Sequence, residues 1–422
     1  MSTSPGGTLV IDIAVLRNDP DLVRRSVSSR GSDVDVDNLI AVDADLRQKI
    51  AQADQLRAKQ KNQPKGGDID IDAARALKDE LRKLTEEVRT LQDRRDDLWA
   101  HLPNLLAEDT PPGDDDESNV ELRRVGDPVP ADEDRSHEVI GGRLGIFDMK
   151  RGAAVAGSGF YYWRGDGARL AWALFSYTQD LLVQRGFTPM LTPLVAREHV
   201  FFGTGYLPFF AKETYKIEDS DLSLIGTSEQ TLIGYYGDTI IDAGDLPILV
   251  SAFSPCFRTE AGAAGRASRG GYRVHQFHKV EQIVICDPTE SEHWLDQCQR
   301  NAEDLLTSLE LPYRVVRVCV GDLGAPAFKK YDTETWFPSF GAYRETHSNS
   351  NLTDYQARRF KIRFRGDGGM VFPHTISATG ITDRAALAIL ENNVQPDGSV
   401  AVPEVLRPYL GGTDRIQAPS RS

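Results

Sequence analysis

Four stretches of this 422-residue chain concentrate side chains suited to phosphate and ammonium groups. They are Gly226-Thr227-Ser228-Glu229, Phe257-Arg258-Thr259-Glu260-Ala261-Gly262 with Arg273 to Glu281 after it, Arg344-Glu345-Thr346-His347-Ser348, and Thr379 to Arg384. A planar guanidinium such as that of Arg258 or Arg384 can grip two phosphate oxygens at once. A carboxylate such as Glu229 or Glu281 can pair an ammonium group, and hydroxyls beside it can read another hydroxyl. Taken singly, each group has a plainer reading. A lone arginine is a surface cation, a lone Glu-x-x-Ser means nothing, and Thr227 with Glu229 is a helix N-cap followed by an acid in the first turn. His275 reads as a fold-stabilising histidine rather than a general base. The cysteines at 256, 286, 298 and 319 have neither CxxC spacing nor a nearby histidine pair, so they suggest buried thiols and not a zinc site or a disulfide framework.

The elements that must position these groups are bounded by length and composition. The chain is too long for one ordinary core, so two domains are expected. Hydrophobic residues at 40% and charged residues at 27% suit a globular protein. No apolar run reaches the 18 or so residues of a membrane helix, and the N-terminus lacks the basic start of a secretory signal, so a cytoplasmic location is expected. A net charge of -14 argues against coating nucleic acid by bulk electrostatics, though not against a local basic track.

Leu39, Val42, Leu46, Ile50, Ala53 and Leu56 fall at helical spacing. The turn formers Asn62-Gln63-Pro64-Lys65-Gly66-Gly67 come next, and then Leu77, Leu81, Leu84, Val88, Leu91 and Leu98. Two helices joined by a short turn make an antiparallel coiled-coil hairpin. Its cations Arg57, Lys59, Lys61, Lys65, Arg75, Lys78, Arg82 and Lys83 form either a phosphate-contacting track or an ordinary solvated exterior. The acidic, Pro-containing run Glu108 to Glu117 reads as the start of a linker. The expected organisation is an N-terminal domain over 1–115, a linker over 116–135 and a body over 136–422. The body alternates helices such as Ala168 to Arg185 with β-rich runs such as Ile248 to Phe253, Gln282 to Cys286 and Tyr313 to Val320, which indicates the α+β class.

The segment from Phe257 through Glu281 resembles motif 2 of class II aminoacyl-tRNA synthetases in its seryl form. Gly186-Phe187-Thr188-Pro189-Met190-Leu191-Thr192-Pro193 is similar to motif 1, and Arg384 ahead of Leu387 to Asn392 to motif 3. Between and beyond them, Gly226 to Glu229, Tyr343 to Arg359 and Val402 to Tyr409 resemble seryl enzymes in particular. The resemblance runs from about Ile11 to Gly411. It implies a catalytic domain built on a six-stranded, mixed but mainly antiparallel sheet, and a homodimer formed partly through motif 1. It also implies an arm that grips the long variable arm of serine tRNA.

The reaction so implied joins the serine carboxylate to the α-phosphate of ATP and then passes serine to the 3′ end of the tRNA. By resemblance the catalytic residues are Arg258, Glu260 and Arg384. Serine is bound by Thr227, Ser228, Glu229, Glu281 and Thr379. ATP is bound by Arg258, Thr259, Glu260, Val274, Glu345, Thr346, His347, Ser348 and Arg384. Mg²⁺, which favours a carboxylate or two plus phosphate oxygens and water, is expected at Glu345 and Ser348. The loop from Ala263 to Gly271 is expected to meet the acceptor end of the tRNA.

The chain departs from the common family pattern at Ala267-Ser268, Ser377-Ala378 and His347, all expected beside substrates. These departures raise the reading of a specialised second copy, tolerant of a serine-mimicking inhibitor or feeding a side pathway. Serylation of selenocysteine tRNA is a further expectation. The rivals are serine activation for a carrier protein, against which the long arm counts, and a non-catalytic tRNA-binding relative, against which the retained Arg258, Glu260, Glu281, Glu345 and Arg384 count.

Overall fold

The computed structural model describes residues 11–62, 71–261 and 270–418. They fall into two compact units, 1–105 and 106–422. In the first, short helices α1 (Ile13–Asn18) and α2 (Pro20–Ser29) precede the long helices α3 (Val36–Lys61) and α4 (Ile71–Ala100). The Asp35 side chain caps α3 by accepting from the Asn38 amide at 2.9 Å, satisfying one of the donors that a helix start leaves over. Ala53, Leu56 and Leu84 are buried against one another, with Leu77 and Leu81 packed on them. Two cross-links fix the direction: Lys49 pairs with Glu87 at 2.7 Å, and Arg94 donates to Asn38 at 3.0 Å. As the chain advances on one helix it retreats on the other, so the hairpin is antiparallel. At about 1.5 Å per residue the 26 residues of α3 extend roughly 39 Å. Of the basic track, Arg57 pairs with Asp54 and Arg82 with Asp79, exposed contacts of the kind worth about 1 kcal/mol or less and readily exchanged for a ligand. Lys65 and the turn after Asn62 lie outside the described residues.

The second unit is built on an eight-stranded sheet. In chain order its strands are β1 (Val120–Val125), β2 (Thr188–Met190), β3 (Ile248–Phe257), β4 (Gln276–Cys286), β5 (Tyr313–Arg317), β6 (Lys329–Phe337), β7 (Ala342–Thr353) and β8 (His374–Thr382). They lie side by side as β1-β5-β6-β7-β8-β4-β3-β2. Every pair is antiparallel except β2 with β3. The six-stranded antiparallel sheet implied by resemblance is therefore the centre of a wider one, flanked by β1 and β2.

Strand β1 corrects the linker reading of 116–135. An acidic, apolar-poor sequence cannot make a core, but an edge strand needs only backbone donors and acceptors. All six of its residues are exposed, and the segment is held by its ladder to β5 and by Asn119, which accepts from the Cys319 amide at 2.8 Å.

One face of the sheet is covered by helices. After α5 (His137–Leu144) come α6 (Asp166–Gln184), α8 (Ser291–Ser308) and α9 (Asp383–Asn392), while the short α7 (Glu229–Gly234) packs Leu232 and Ile233 on Val250, Ala252, Ile283 and Ile285 of the opposite face. Leu170, Leu174 and Leu182 of α6, Leu306 of α8 and Leu387 and Leu390 of α9 meet Val280, Val284 and Ile376 of the sheet in one apolar core. Cys256, Cys286, Cys298 and Cys319 are free and buried. On that opposite face, beside this second apolar cluster, polar residues of β4, β6, β7 and β8 line a cleft of about 410 Å³.

Candidate active site

Strand alternation sets the cleft floor. Because successive side chains point to opposite faces, Phe277, Lys279 and Glu281 of β4 all face the cleft while His278 and Val280 face the helices. Arg258 follows β3 directly, and since Cys256 pairs with Phe277 its guanidinium comes to lie 5.3 Å from the centre of the Phe277 ring. Arg384 enters from the first turn of α9, whose start Thr382 caps. Its Nη1 donates to the Glu345 carbonyl at 2.8 Å and its Nε to the Tyr272 carbonyl at 3.3 Å, and its guanidinium lies 4.3 Å from the Tyr272 ring centre. Two cations are thus held rigidly at one end of the cleft, at fixed positions where phosphate charge could be met. A third, Arg273, pairs with Glu260 at 3.2 Å. Glu260 has a φ of 52°, uncommon for a residue with a side chain. Val274 also lines the cleft.

Glu345 and Ser348 stand three apart on β7, a spacing that regular alternation would place on opposite faces. A bulge resolves this. Glu345 faces Glu334 and His347 faces Thr333, leaving Thr346 as an extra residue with its hydroxyl turned into the sheet, 2.7 Å from that of Thr335. Beyond the bulge Ser348 and Ser350 line the cleft. Burial favours the neutral form of Glu345, but Arg384 first, then Lys330 and Arg258, outweigh it and hold the carboxyl below its usual range. An ionised carboxylate and a hydroxyl on one face suit a divalent cation that completes its shell from substrate phosphate and water. Among the described residues no group of three or more histidine, cysteine, aspartate or glutamate side chains makes a fuller cage.

The deep end is built on Glu281, 2% exposed. Thr227 donates to its Oε2 and Ser377 to its Oε1, each at 3.1 Å, and Lys279 makes a direct ion pair with it. Glu229 lies close by and accepts from Gln356 at 2.7 Å. Burial, and next the charge of Glu281, push the Glu229 carboxyl up to about 7. An arriving ammonium group would reverse that shift and hold Glu229 ionised. Thr379 lines the same end.

Several expected ligands lie elsewhere. His347 is 2% exposed and off the cleft, because the bulge leaves it on the opposite side of β7 from Ser348. Its imidazole sits 2.9 Å from the Thr346 hydroxyl, and burial depresses its pKa to about 4. Thr259 gives its hydroxyl to the Lys212 carbonyl at 2.6 Å, outside the cleft. Ser228 is fully buried with its hydroxyl toward the Ala252 carbonyl. Thr227 is buried behind the cleft wall; its hydroxyl accepts from the Glu229 amide at 3.2 Å while donating to Glu281, and the cap position of α7 is Ser228, whose side chain makes no capping bond. Of the departures, Ser377 lines the cleft and Ala378 packs in the apolar core. Ala267, Ser268 and most of the 263–271 loop lie outside the described residues. His275 is structural, its Nδ1 3.0 Å from the Arg258 carbonyl. Lys279, Gln356 and Lys330 line or bound the site without having been singled out. Only Lys279 carried a signal, two residues before Glu281 on one strand.

Comparison with known proteins places these residues in a family. The model of the seryl-tRNA synthetase N-terminal domain matches residues 10–106, and that of the tRNA synthetase class II core domain (G, H, P, S and T) matches 214–393. A serine–tRNA ligase of Caldanaerobacter subterraneus subsp. tengcongensis is 41% identical over 424 residues, covering 95% of this chain and 98% of that protein. One from Mycobacterium marinum is 42% identical over 412 residues, with the same shares covered. Among solved structures, seryl-tRNA synthetase from Pyrococcus horikoshii complexed with ATP superposes with a TM-score of 0.90 at 37% identity, over 97% of this chain and 99% of that one. The cytoplasmic serine–tRNA ligase of Naegleria fowleri in complex with AMP gives 0.87 at 33% identity, over 98% and 100%.

Proposed function

Since the chain belongs to the seryl-tRNA synthetase family of class II enzymes, we propose that its cleft performs the family reaction with ATP phosphates at the Arg258–Arg384 end and serine at the Glu229–Glu281 end. The protein activates serine with ATP and charges tRNA. The observation that carries the assignment of its residues is the division of one cleft into a cationic end and an end where Glu229 lies beside the buried carboxylate of Glu281.

In this reading the serine ammonium pairs with Glu229 and Glu281, and its hydroxyl is read from the group of Ser377, Thr379 and Glu281. Its carboxylate, already a nucleophile, is held against the α-phosphate, so the step runs on positioning and needs no side-chain base. The carboxylate oxygen bonds to the α-phosphorus as the bond to pyrophosphate breaks. Arg258 and Arg384 meet the charge that builds on the phosphate oxygens. Glu260, fixed by Arg273, orients the adenine. Glu345 and Ser348 would hold Mg²⁺, which would supply further neutralisation of the phosphates when bound. The tRNA 3′ hydroxyl then takes serine from the adenylate, releasing AMP. Alanine is refused because it leaves buried polar groups unpaired, a device that discriminates by about 10⁴-fold or more. Threonine is refused by size.

Further parts of the proposal are a homodimer, a cytoplasmic location and serylation of selenocysteine tRNA. Exposed Trp172 on α6 and Leu191 beside the edge strand β2 support the dimer. No helix among the described residues is long and apolar enough to cross a membrane. Among the described residues, the specialised role rests on Ser377, since Ala378 and His347 face away from the cleft. The test is serine-dependent ATP–pyrophosphate exchange followed by charging of serine tRNA and selenocysteine tRNA, with alanine and threonine as competitors. Exchange with charging supports the reading, and loss of exchange overturns it.

A further inference from the structure

We propose that His137 is a positioning residue of the ATP site, acting by accepting the backbone N–H of Gly271 and thereby fixing Tyr272 beneath Arg384. This rests on the reading of Arg384 as an ATP contact.

His137 opens α5 and is 1% exposed, 134 residues before Gly271 in the chain. Its backbone N–H and its Nδ1 both address one oxygen of Glu391, at 3.0 and 2.7 Å. Glu391 is fully buried near the end of α9, and it also accepts from the Ser339 amide at 3.0 Å and the Ser339 hydroxyl at 2.8 Å. A carboxylate so surrounded by donors acts only as an acceptor, which requires Nδ1 to carry a proton. Nε2 is then left to accept, and the Gly271 N–H reaches it at 2.9 Å. The tautomer follows from the two partners.

The chain at this point is cut to the imidazole. Gly270 has a φ of 61°, where a side chain is strained, and a Cβ there would run into His137 Nε2. A Cβ on Gly271 would run into the Phe147 ring. The glycine pair is what so close an approach demands. The next residue is Tyr272, whose carbonyl accepts from Arg384, whose ring lies under that guanidinium, and whose hydroxyl donates to the Glu345 carbonyl at 2.8 Å. Helix α9 therefore grips the strand entering β4 twice, through Arg384 at its start and through Glu391 and His137 at its end. Neither His137 nor Glu391 faces the cleft, whereas the Gly271 backbone they hold lines it.

Two substitutions separate positioning from stability. His137→Asn keeps a donor for Glu391 but is too short to reach Gly271. His137→Gln keeps an acceptor at the distance of Nε2 and gives up the Nδ1 donor. In pyrophosphate exchange with the full-length enzyme, His137→Asn is expected to raise KM for ATP about tenfold, the scale of one lost hydrogen bond, with KM for serine within about twofold of wild type. His137→Gln is expected to keep KM for ATP near wild type while melting at a lower temperature. Equal effects of the two variants on KM for ATP, or no effect of His137→Asn, overturn the proposal. Hydrogen exchange on the wild-type enzyme gives a second measurement that needs no variant. Protection of the Gly271 amide like that of amides in β4 is expected, and free exchange overturns the proposal. Arg384→Ala in the same assay keeps the two readings apart. An unchanged KM for ATP there refutes the ATP-site assignment, and the role of His137 falls with it. An impaired Arg384→Ala beside an unaffected His137→Asn refutes the role of His137 alone.

Discussion

Glu229→Gln should make the protein more stable and a poorer enzyme, with the size of both effects set by pH. The carboxyl of Glu229 ordinarily titrates at 4.5 and is pushed up to about 7 in the fold. The sign follows from proton counting: between these values the folded state holds a proton that the unfolded state has released, so stability falls as pH rises through the interval and levels off above it. A difference of about 2.5 units is about 3.4 kcal/mol at 1.36 kcal/mol per unit, an order-of-magnitude figure. Glutamine has the same shape and no charge to desolvate. The variant and wild type should therefore unfold alike near pH 4.5, and the variant should melt several degrees higher at pH 8. In pyrophosphate exchange at pH 8, loss of a charged contact to the serine ammonium, worth about 1.5–3 kcal/mol, should raise KM for serine by about ten- to a hundredfold with KM for ATP unchanged. Wild-type kcat/KM for serine should fall about tenfold per unit below pH 7, and that dependence should be lost in the variant. A stability gap that does not change with pH, or a wild-type KM for serine in the variant, would refute the account of this pocket.

Three other outcomes are expected. Arg258→Ala should lower the rate of pyrophosphate exchange by about 10²–10³-fold, as removal of one preorganised charge-stabilising group does elsewhere, and serine binding measured by calorimetry should survive. Chelation of divalent cations should stop exchange and Mg²⁺ should restore it, whereas Glu345→Gln should require a higher Mg²⁺ concentration for half-maximal rate. Trp172→Asp should shift sedimentation equilibrium from dimer toward monomer; an unchanged dimer would place the interface elsewhere.

The arm was legible because leucine spacing and a cluster of turn formers are local signals, and its helices begin and end within a few residues of where the apolar pattern does. That Arg258, Glu281, Glu345 and Arg384 line one cleft was legible through the order of their motifs. What escaped was set by long-range contacts. The hydroxyl of Thr259 is taken by a carbonyl 47 residues away, and Ala378 faces the core because of its register on β8. Strand β1 escaped because pairing of its backbone leaves no trace in side-chain polarity. Lys279 could have been found: a strand that presents Glu281 to the cleft must present residue 279 as well.

The extra residue in β7 makes the strand a ruler with a phase step. Before the step Glu345, an odd-numbered position, looks into the cleft, and from Ser348 onward the even-numbered positions do. A saturation scan of the strand would show its tolerance pattern inverting between 345 and 348. A library designed on uniform alternation would spend half its diversity on the buried side. Deleting Thr346 would restore plain alternation and still leave Glu345 and Ser348 on one side, so the strand could be shortened there without exchanging inside for outside. Inserting a residue anywhere beyond the step would turn every later position over.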